Sequence, residues 1–282
     1  LQGFQAVVHL AALSNDPLGE LDPGLTMEIN ADATRVLADA ARTAGVDRFL
    51  FASSCSVYGV GHDVELTEDS PTAPVTAYAR SKLEAESALR RLAGDTFTVV
   101  ALRPGTAYGY SPMLRLDLVA NNLLAWALGT GEVLLKSDGQ AWRPLVHIRD
   151  MARSFAALLN EPAASVGGRA FNLGRDDENH RIADVARAVA SVVPDARVTW
   201  APGASTDPRS YHVSFRTLAE AAPDAVPRVR VMEGLRDTAR CMAHLDLTPG
   251  TIEGTRFQRV KHLRSLLAAG TLDPRLREVG AA

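Results

Sequence analysis

Arg48-Phe-Leu-Phe-Ala-Ser53-Ser-Cys-Ser-Val-Tyr-Gly59 is the stretch on which the fold turns. Its first half, Arg48 to Ser53, is short, apolar and unalternating, the pattern of a strand buried on both faces. Its second half is a serine-rich turn ending in glycine. Upstream, Ala6-Val-Val-His-Leu-Ala-Ala12 reads as another buried parallel strand, and downstream Phe97 to Leu102 as a third. Helices lie between them. Met27 to Ala44 puts Val36, Leu37, Ala40, Ala41 and Ala44 on one face, and Gly45 stops it. Tyr78 to Leu92 is a second helix, closed by Gly94 and entered through the loop Thr67 to Pro74, rich in Pro, Thr and acids.

Strands alternating with helices imply right-handed crossovers and an α/β chain with a Rossmann-type doubly wound parallel sheet. Ligands of such sheets lie beyond the carboxyl ends of the strands. Those ends carry Ala11-Ala12, Ser53-Ser54 and Arg103-Pro104. After Gly109 the rhythm loosens. Leu114 to Leu128, Asp150 to Leu159 and Ile182 to Val193 read as helical. Val133 to Leu135, Leu145 to Ile148, Ala170 to Leu173 and Val198 to Trp200 read as extended. The expected organisation is a partial dinucleotide-binding domain over 1–110, with return segments near 133–173. A smaller mixed α/β C-terminal lobe, 111–282, follows and ends in helices and loops. Within it, Arg256-Phe-Gln-Arg-Val-Lys-His-Leu-Arg reads as an amphipathic helix packing on the lobe.

The 282 residues, 46% hydrophobic and 22% charged, are ordinary globular composition and can bury a sizeable core. A net charge of −3 argues against a general nucleic-acid or membrane-surface binder. Cys55 and Cys241 form no metal-ligand spacing, so no metal site is expected, and a reducing cytoplasm is the expected compartment. No apolar run reaches the ~18 residues of a membrane span.

The chemistry centres on Tyr78-Ala-Arg-Ser-Lys82. A spacing of four sets Tyr78 and Lys82 on one helix face, a turn apart. A phenol titrates near ~10, and a nearby ammonium favours its phenolate. The pair can therefore act as general acid and base on a sugar hydroxyl or ketone. By itself the pattern is equally that of a surface pair. The order of strand, Ser53-Ser54, Val57-Tyr58-Gly59 and then Tyr78-x-x-x-Lys82 is far harder to obtain by chance. A hydroxyl at Ser54 would sit at the sheet's carboxyl edge, able to bond the reacting oxygen.

With these landmarks, the stretch from Ala6 to Asn172 resembles the NAD-dependent epimerase/dehydratase family, the extended short-chain dehydrogenases that include UDP-galactose 4-epimerase. Ser54, Tyr78 and Lys82 resemble its catalytic triad. Val8-His-Leu-Ala-Ala12 resembles the strand whose backbone packs on the cofactor, and Asn30 the asparagine that braces that site. Leu102-Arg-Pro-Gly-Thr-Ala-Tyr-Gly109 resembles the strand end that meets nicotinamide and substrate, and Asn121-Asn122-Leu123 the segment that grips the nucleotide diphosphate. Arg143 resembles the phosphate-binding arginine, followed by a structural His147 and Asp150. The resemblance implies NAD as cofactor, with NADP left open, held by Leu10, Ala11, Ala12, Asn30, Ala52, Ser53, Tyr78, Lys82 and Pro104. It implies a nucleotide-diphosphate sugar held by Ser56, Thr106, Asn122, Leu123, Arg143 and Arg209. It also implies a homodimer through the helices Met27 to Ala44 and Tyr78 to Leu92.

Three departures matter. The glycine-rich loop that carries dinucleotide phosphates is absent, so the sequence reads as starting after the family's first strands, with a sheet edge left open. Relatives that dehydrate sugars carry Asp-Glu just after the catalytic hydroxyl, where this chain has Cys55-Ser56. Some 3,5-epimerases use a cysteine one position later, here Ser56, so Cys55 is read as a packed thiol. Thr106 replaces an asparagine common in the family. The expected activity is epimerisation at carbon 4 through a transient keto sugar. A nucleotide-sugar 4-ketoreductase, a non-catalytic dinucleotide-binding regulator and an inactive fragment are the alternatives.

Overall fold

The computed structural model describes residues 1–60, 64–207 and 210–280. The first elements are β1 (Ala6–His9), α1 (Asp16–Gly19), α2 (Pro23–Met27), a π-helical turn (Glu28–Asp32), α3 (Ala33–Thr43), β2 (Arg48–Ala52), a 3-10 turn (Cys55–Tyr58) and β3 (Glu65–Leu66). Then come α4 (Ala77–Leu92), β4 (Thr98–Pro104), β5 (Thr106–Tyr108), α5 (Val119–Thr130), β6 (Glu132–Ser137), β7 (Trp142–His147), α6 (Ile148–Leu158), α7 (Ala163–Val166) and β8 (Arg169–Leu173). The chain closes with β9 (Asn179–Arg181), α8 (Ile182–Val192), β10 (Arg197–Ser205), β11 (His212–Val213), α9 (Arg216–Ala221), α10 (Val231–Met242), α11 (Pro249–Ile252) and α12 (Arg259–Ala268). Two compact units result. The first comprises Leu1–Ala107, Gln140–Arg181 and Asp207–Val231; the second comprises Tyr108–Gly139, Ile182–Thr206 and Met232–Ala282.

The first unit is built on a parallel sheet of order β1-β2-β4-β8, with Phe49 beside Val99 and Leu102 beside Phe171. Side chains alternate between its faces. Phe49, Phe51, Val99 and Ala101 pack with Ala38 and Ala41 of α3 and Ala85 and Leu89 of α4. Leu50, Val100, Leu102 and Phe171 pack with Phe155 and Leu158 of α6 and Leu218 of α9. Cover on both faces is why these strands are apolar throughout. The α/β class and the doubly wound parallel sheet are as the sequence implies.

Two details differ. β1 is parallel to β2, but Val8 is 38% and Leu10 59% exposed rather than buried. No described strand pairs with its outer edge, so only one side of it is covered. The long helix is interrupted at Glu28–Asp32 by a π-helical turn, whose wider ring shifts the buried face. Thr34, Ala38 and Ala41 point inward while Val36 is 57% exposed.

The second unit pairs β10 with β6 in parallel, Arg197 beside Glu132, and packs α5 against α8. α5 starts at Val119 rather than Leu114. The Arg115–Asp117 ion pair at 2.8 Å and the bond from Leu116 N to Phe257 O hold the preceding residues out of the helix. α12, the basic amphipathic segment, buries no side chain fully; Val260, Leu263, Leu266 and Leu267 are half-buried. Among the described residues no helix is long and apolar enough to cross a membrane.

Candidate active site

α4 opens with Thr76 as its cap, whose hydroxyl accepts from Ala79 N. Tyr78 lies in its first turn, against Gly19 of α1. A Cβ on Gly19 would lie 2.9 Å from Tyr78 Cβ, so only glycine lets α1 approach there. One turn on, the Lys82 ammonium donates to Ala52 O at 2.7 Å and stands 4.7 Å from the Phe51 ring centre and 5.9 Å from that of Tyr78. Lys82 is 2% exposed. Burial pulls its pKa down to about 8, against the raising effect of Glu86. It thus remains charged at neutral pH, close to its titration point, where it favours the phenolate of Tyr78.

Asn30 braces this arrangement from the π-helical turn, a feature often found at functional sites. Its Oδ1 accepts from Leu13 N at 2.8 Å, and its Nδ2 donates to Leu13 O and to Ser81 Oγ. Ser81 in turn donates to Tyr78 O. One asparagine therefore fixes both the loop after β1 and the first turn of α4. Leu10 and Ala11 in that loop are exposed, and Ala12 is half-buried.

At the end of β2, Ser54 caps the 3-10 turn. Its hydroxyl accepts from Ser56 N at 3.1 Å and Ser56 Oγ at 2.9 Å, leaving its own O–H to donate. Gly59 closes the turn at φ +75°, and a Cβ there would lie 1.9 Å from Ala73 O. Cys55 is fully buried, and its thiol donates to Arg103 O at 3.1 Å. Burial pushes that thiol far above the ordinary range, so it is packed and inert.

Ser53, by contrast, is turned inward. Its hydroxyl donates to Glu86, whose carboxylate also takes Arg103 Nε at 3.0 Å and Nη2 at 2.6 Å. Arg103 Nη1 donates to Tyr58 Oη at 3.0 Å, and Tyr58 donates to Asn172 Oδ1 at 2.7 Å. Burial opposes the Arg103 charge, but the hydrogen bonds and charge of Glu86 outweigh it and raise its pKa. Burial likewise raises that of the Tyr58 phenol, against Arg103. Sequence reasoning missed this network. Its one visible sign was Glu86 at the next i+4 position after Tyr78 and Lys82.

Arg143 on β7 is 7% exposed. It pairs with Asp207 at 2.8 Å, donates to Trp142 O and lies 5.1 Å from the Tyr211 ring centre. Tyr211 shares a hydrogen bond with Thr106, and burial raises its pKa against the pull of Arg143. Pro104 is half-buried at the end of β4. His147 caps α6, accepting from Arg149 N, and Asp150 accepts from Arg228 N and Val229 N, so both organise backbone. Asn122 and Leu123 belong to the second unit; Asn122 donates to Leu116 O and Leu123 is buried. Arg209 lies outside the described residues.

The residues fit the nicotinamide-ribose end of a dinucleotide. Among the described residues Lys82 has a single protein acceptor, which leaves N–H groups for ribose hydroxyls, and the backbone beyond β1 is open. No glycine-rich phosphate loop stands among the 282 residues.

The chain is similar to known proteins. The chain is 30% identical over 188 residues to UDP-glucose 4-epimerase of Bacillus subtilis (strain 168), covering 61% of this chain and 56% of the relative. It is 28% identical over 179 residues to dTDP-D-glucose 4,6-dehydratase of Mus musculus, covering 63% and 49%. The chain thus spans about half the length of the curated relatives it matches. The solved structure of MoeE5 in complex with UDP-glucuronic acid and NAD superposes with a TM-score of 0.72 at 28% identity, covering 85% of this chain and 79% of that one. Residues 1–174, which hold the Tyr78–Lys82 pair and the Ser54 turn, match the family described as NAD dependent epimerase/dehydratase. By that match over more than half its length, the chain belongs to the NAD dependent epimerase/dehydratase family.

Proposed function

We propose that this protein epimerises a nucleotide-diphosphate sugar at carbon 4 through a transient keto sugar, with NAD as cofactor. The observation that carries the reading is the buried Lys82 ammonium, anchored on Ala52 O beside Tyr78 at the end of the strand that leads to Ser54. Lys82 favours the Tyr78 phenolate, and that oxygen takes the proton of the sugar hydroxyl. Ser54 donates its O–H to the same sugar oxygen and holds it in place. NAD, held beside Lys82, would supply reversible hydride transfer when bound. Tyr78 then gives the proton back.

Epimerisation is favoured over dehydration by the turn after Ser54. Loss of water needs an acid and a base near carbons 5 and 6. Cys55 is sealed in the core with its thiol on Arg103 O, and Ser56 is bonded to Ser54. Neither offers a carboxylate.

In this reading Arg143 grips the diphosphate with a planar, always-charged fork, and Thr106 lines the sugar site. Asn122, Leu123 and Arg209 contact the nucleotide on the strength of the resemblance. Leu10, Ala11, Ala12, Asn30, Ala52, Ser53 and Pro104 surround the cofactor. The protein works in the cytoplasm as a homodimer joined through α3 and α4, in keeping with the exposed Val36.

The test is incubation of the protein with UDP-, GDP-, CDP- and dTDP-sugars and catalytic NAD, with products separated by chromatography beside a Tyr78→Phe control. An epimer formed without net NADH, and lost in the control, supports the proposal. Consumption of NAD(P)H with a 4-keto sugar, and no epimer, replaces it with reduction.

A further inference from the structure

On the reading just given, a residue that touches neither sugar nor cofactor governs the site. We propose that Glu86 is its positioning residue: its buried carboxylate ties the Ser53-Ser54 turn, Arg103 and the charge of Lys82 into one unit. Tyr78, Lys82 and Glu86 fall on one face of α4 at successive turns. Lys82 grips Ala52 O, and one turn later Glu86 takes the hydroxyl of the next residue, Ser53. Consecutive turns of the helix thus hold consecutive residues at the end of β2. The same carboxylate accepts both Arg103 bonds, and Arg103 passes the constraint through Tyr58 to Asn172. The carboxyl ends of β2, β4 and β8 and the 3-10 turn are thereby locked to the helix that bears the acid/base pair.

The charges point the same way. Lys82 and Arg103 are two buried cations, and Glu86 is the anion that acts on both. The other groups around them leave that role to it. His9 on β1 is disfavoured as a cation by burial and by Lys82. Cys55 and Tyr58 on the 3-10 turn stay uncharged because burial raises both. Glu68 accepts from Asn172 N and Thr217 Oγ1. Asp16 and Glu20 hold Thr76 and Ala77 N at the start of α4. With glutamine in place of Glu86, Arg103 keeps its proton, Lys82 loses the anion that raises its pKa, and the charge that favours the Tyr78 phenolate is weakened.

The lysines of the sequence are Lys82, Lys136 and Lys261, and the last two pair with Glu253. Lysine-labelled NMR of the whole protein therefore isolates the Lys82 titration. In Glu86→Gln that midpoint should fall by about one unit or more. In Glu86→Asp it should stay near the wild-type value, while the shorter side chain releases Ser53 and lowers kcat with UDP-glucose and NAD at little-changed KM. A folded Glu86→Gln with the Lys82 midpoint unmoved overturns the proposal. Should that variant not fold, a Glu86→Asp enzyme with wild-type kcat and pH profile overturns it instead. The titration is read without turnover, so a shifted Lys82 in a protein that converts no nucleotide sugar rejects epimerisation and leaves the role of Glu86 standing.

Discussion

Lys82→Met replaces a buried ammonium with an uncharged side chain of similar length, and it should stabilise the protein at neutral pH while abolishing its chemistry. Burial takes Lys82 from its ordinary 10.5 to about 8. The unfolded chain keeps the ordinary value, so below pH 8 the native state holds this proton at a cost of roughly 3 kcal/mol. Between pH 8 and 10.5 the unfolded chain binds more protons than the native one, so this group adds stability as pH rises through that window. The penalty is then about 3 kcal/mol at pH 6.5 and about 1 kcal/mol at pH 9.5. Loss of the bond to Ala52 O takes back about 1–2 kcal/mol. In urea titrations the variant should be the more stable at pH 6.5 by about 1–2 kcal/mol, with that advantage falling by about 2 kcal/mol at pH 9.5. An advantage that is the same at both pH values, or that grows on the alkaline side, refutes the reasoning.

Three further outcomes are expected. Tyr58→Phe strips Arg103 and Asn172 of a shared partner and should cost about 1–3 kcal/mol in the same urea titration. A thiol reagent should label Cys241, which is partly exposed, in the folded protein and reach Cys55 only on unfolding. If Arg143 grips the diphosphate as proposed, initial-rate kinetics of Arg143→Ala should show KM for the nucleotide sugar up by about tenfold or more with kcat little changed.

The sheet was legible because its strands are short, continuously apolar runs. Phe49 and Leu50 are both apolar since each meets a different helical layer, and that pattern survives in the bare sequence. The Tyr78–Lys82 pair was legible because the two residues share a helix face at fixed spacing. The long helix misled because its buried side rests on Thr34, Ala38 and Ala41, small residues with weak hydrophobic contrast, after a π-helical turn that sequence does not announce. β1 misled because burial depends on a neighbouring strand rather than on the strand itself. Apart from the spacing of Glu86, the Ser53–Glu86–Arg103–Tyr58–Asn172 network left no sign in the sequence, because its members come from separate segments and meet only once the strands are paired. Polar residues at such separations carry no periodic signature.

The most direct test of epimerisation at carbon 4 follows the hydrogen on that carbon. UDP-glucose deuterated at carbon 4 would be incubated with the protein and catalytic NAD in ordinary water, and the products examined by mass spectrometry and NMR. The proposed mechanism requires a 4-epimer that keeps its deuterium at carbon 4, and no such product from Tyr78→Phe. Deuterium found at carbon 6, or an epimer that has lost it to solvent, would contradict the mechanism.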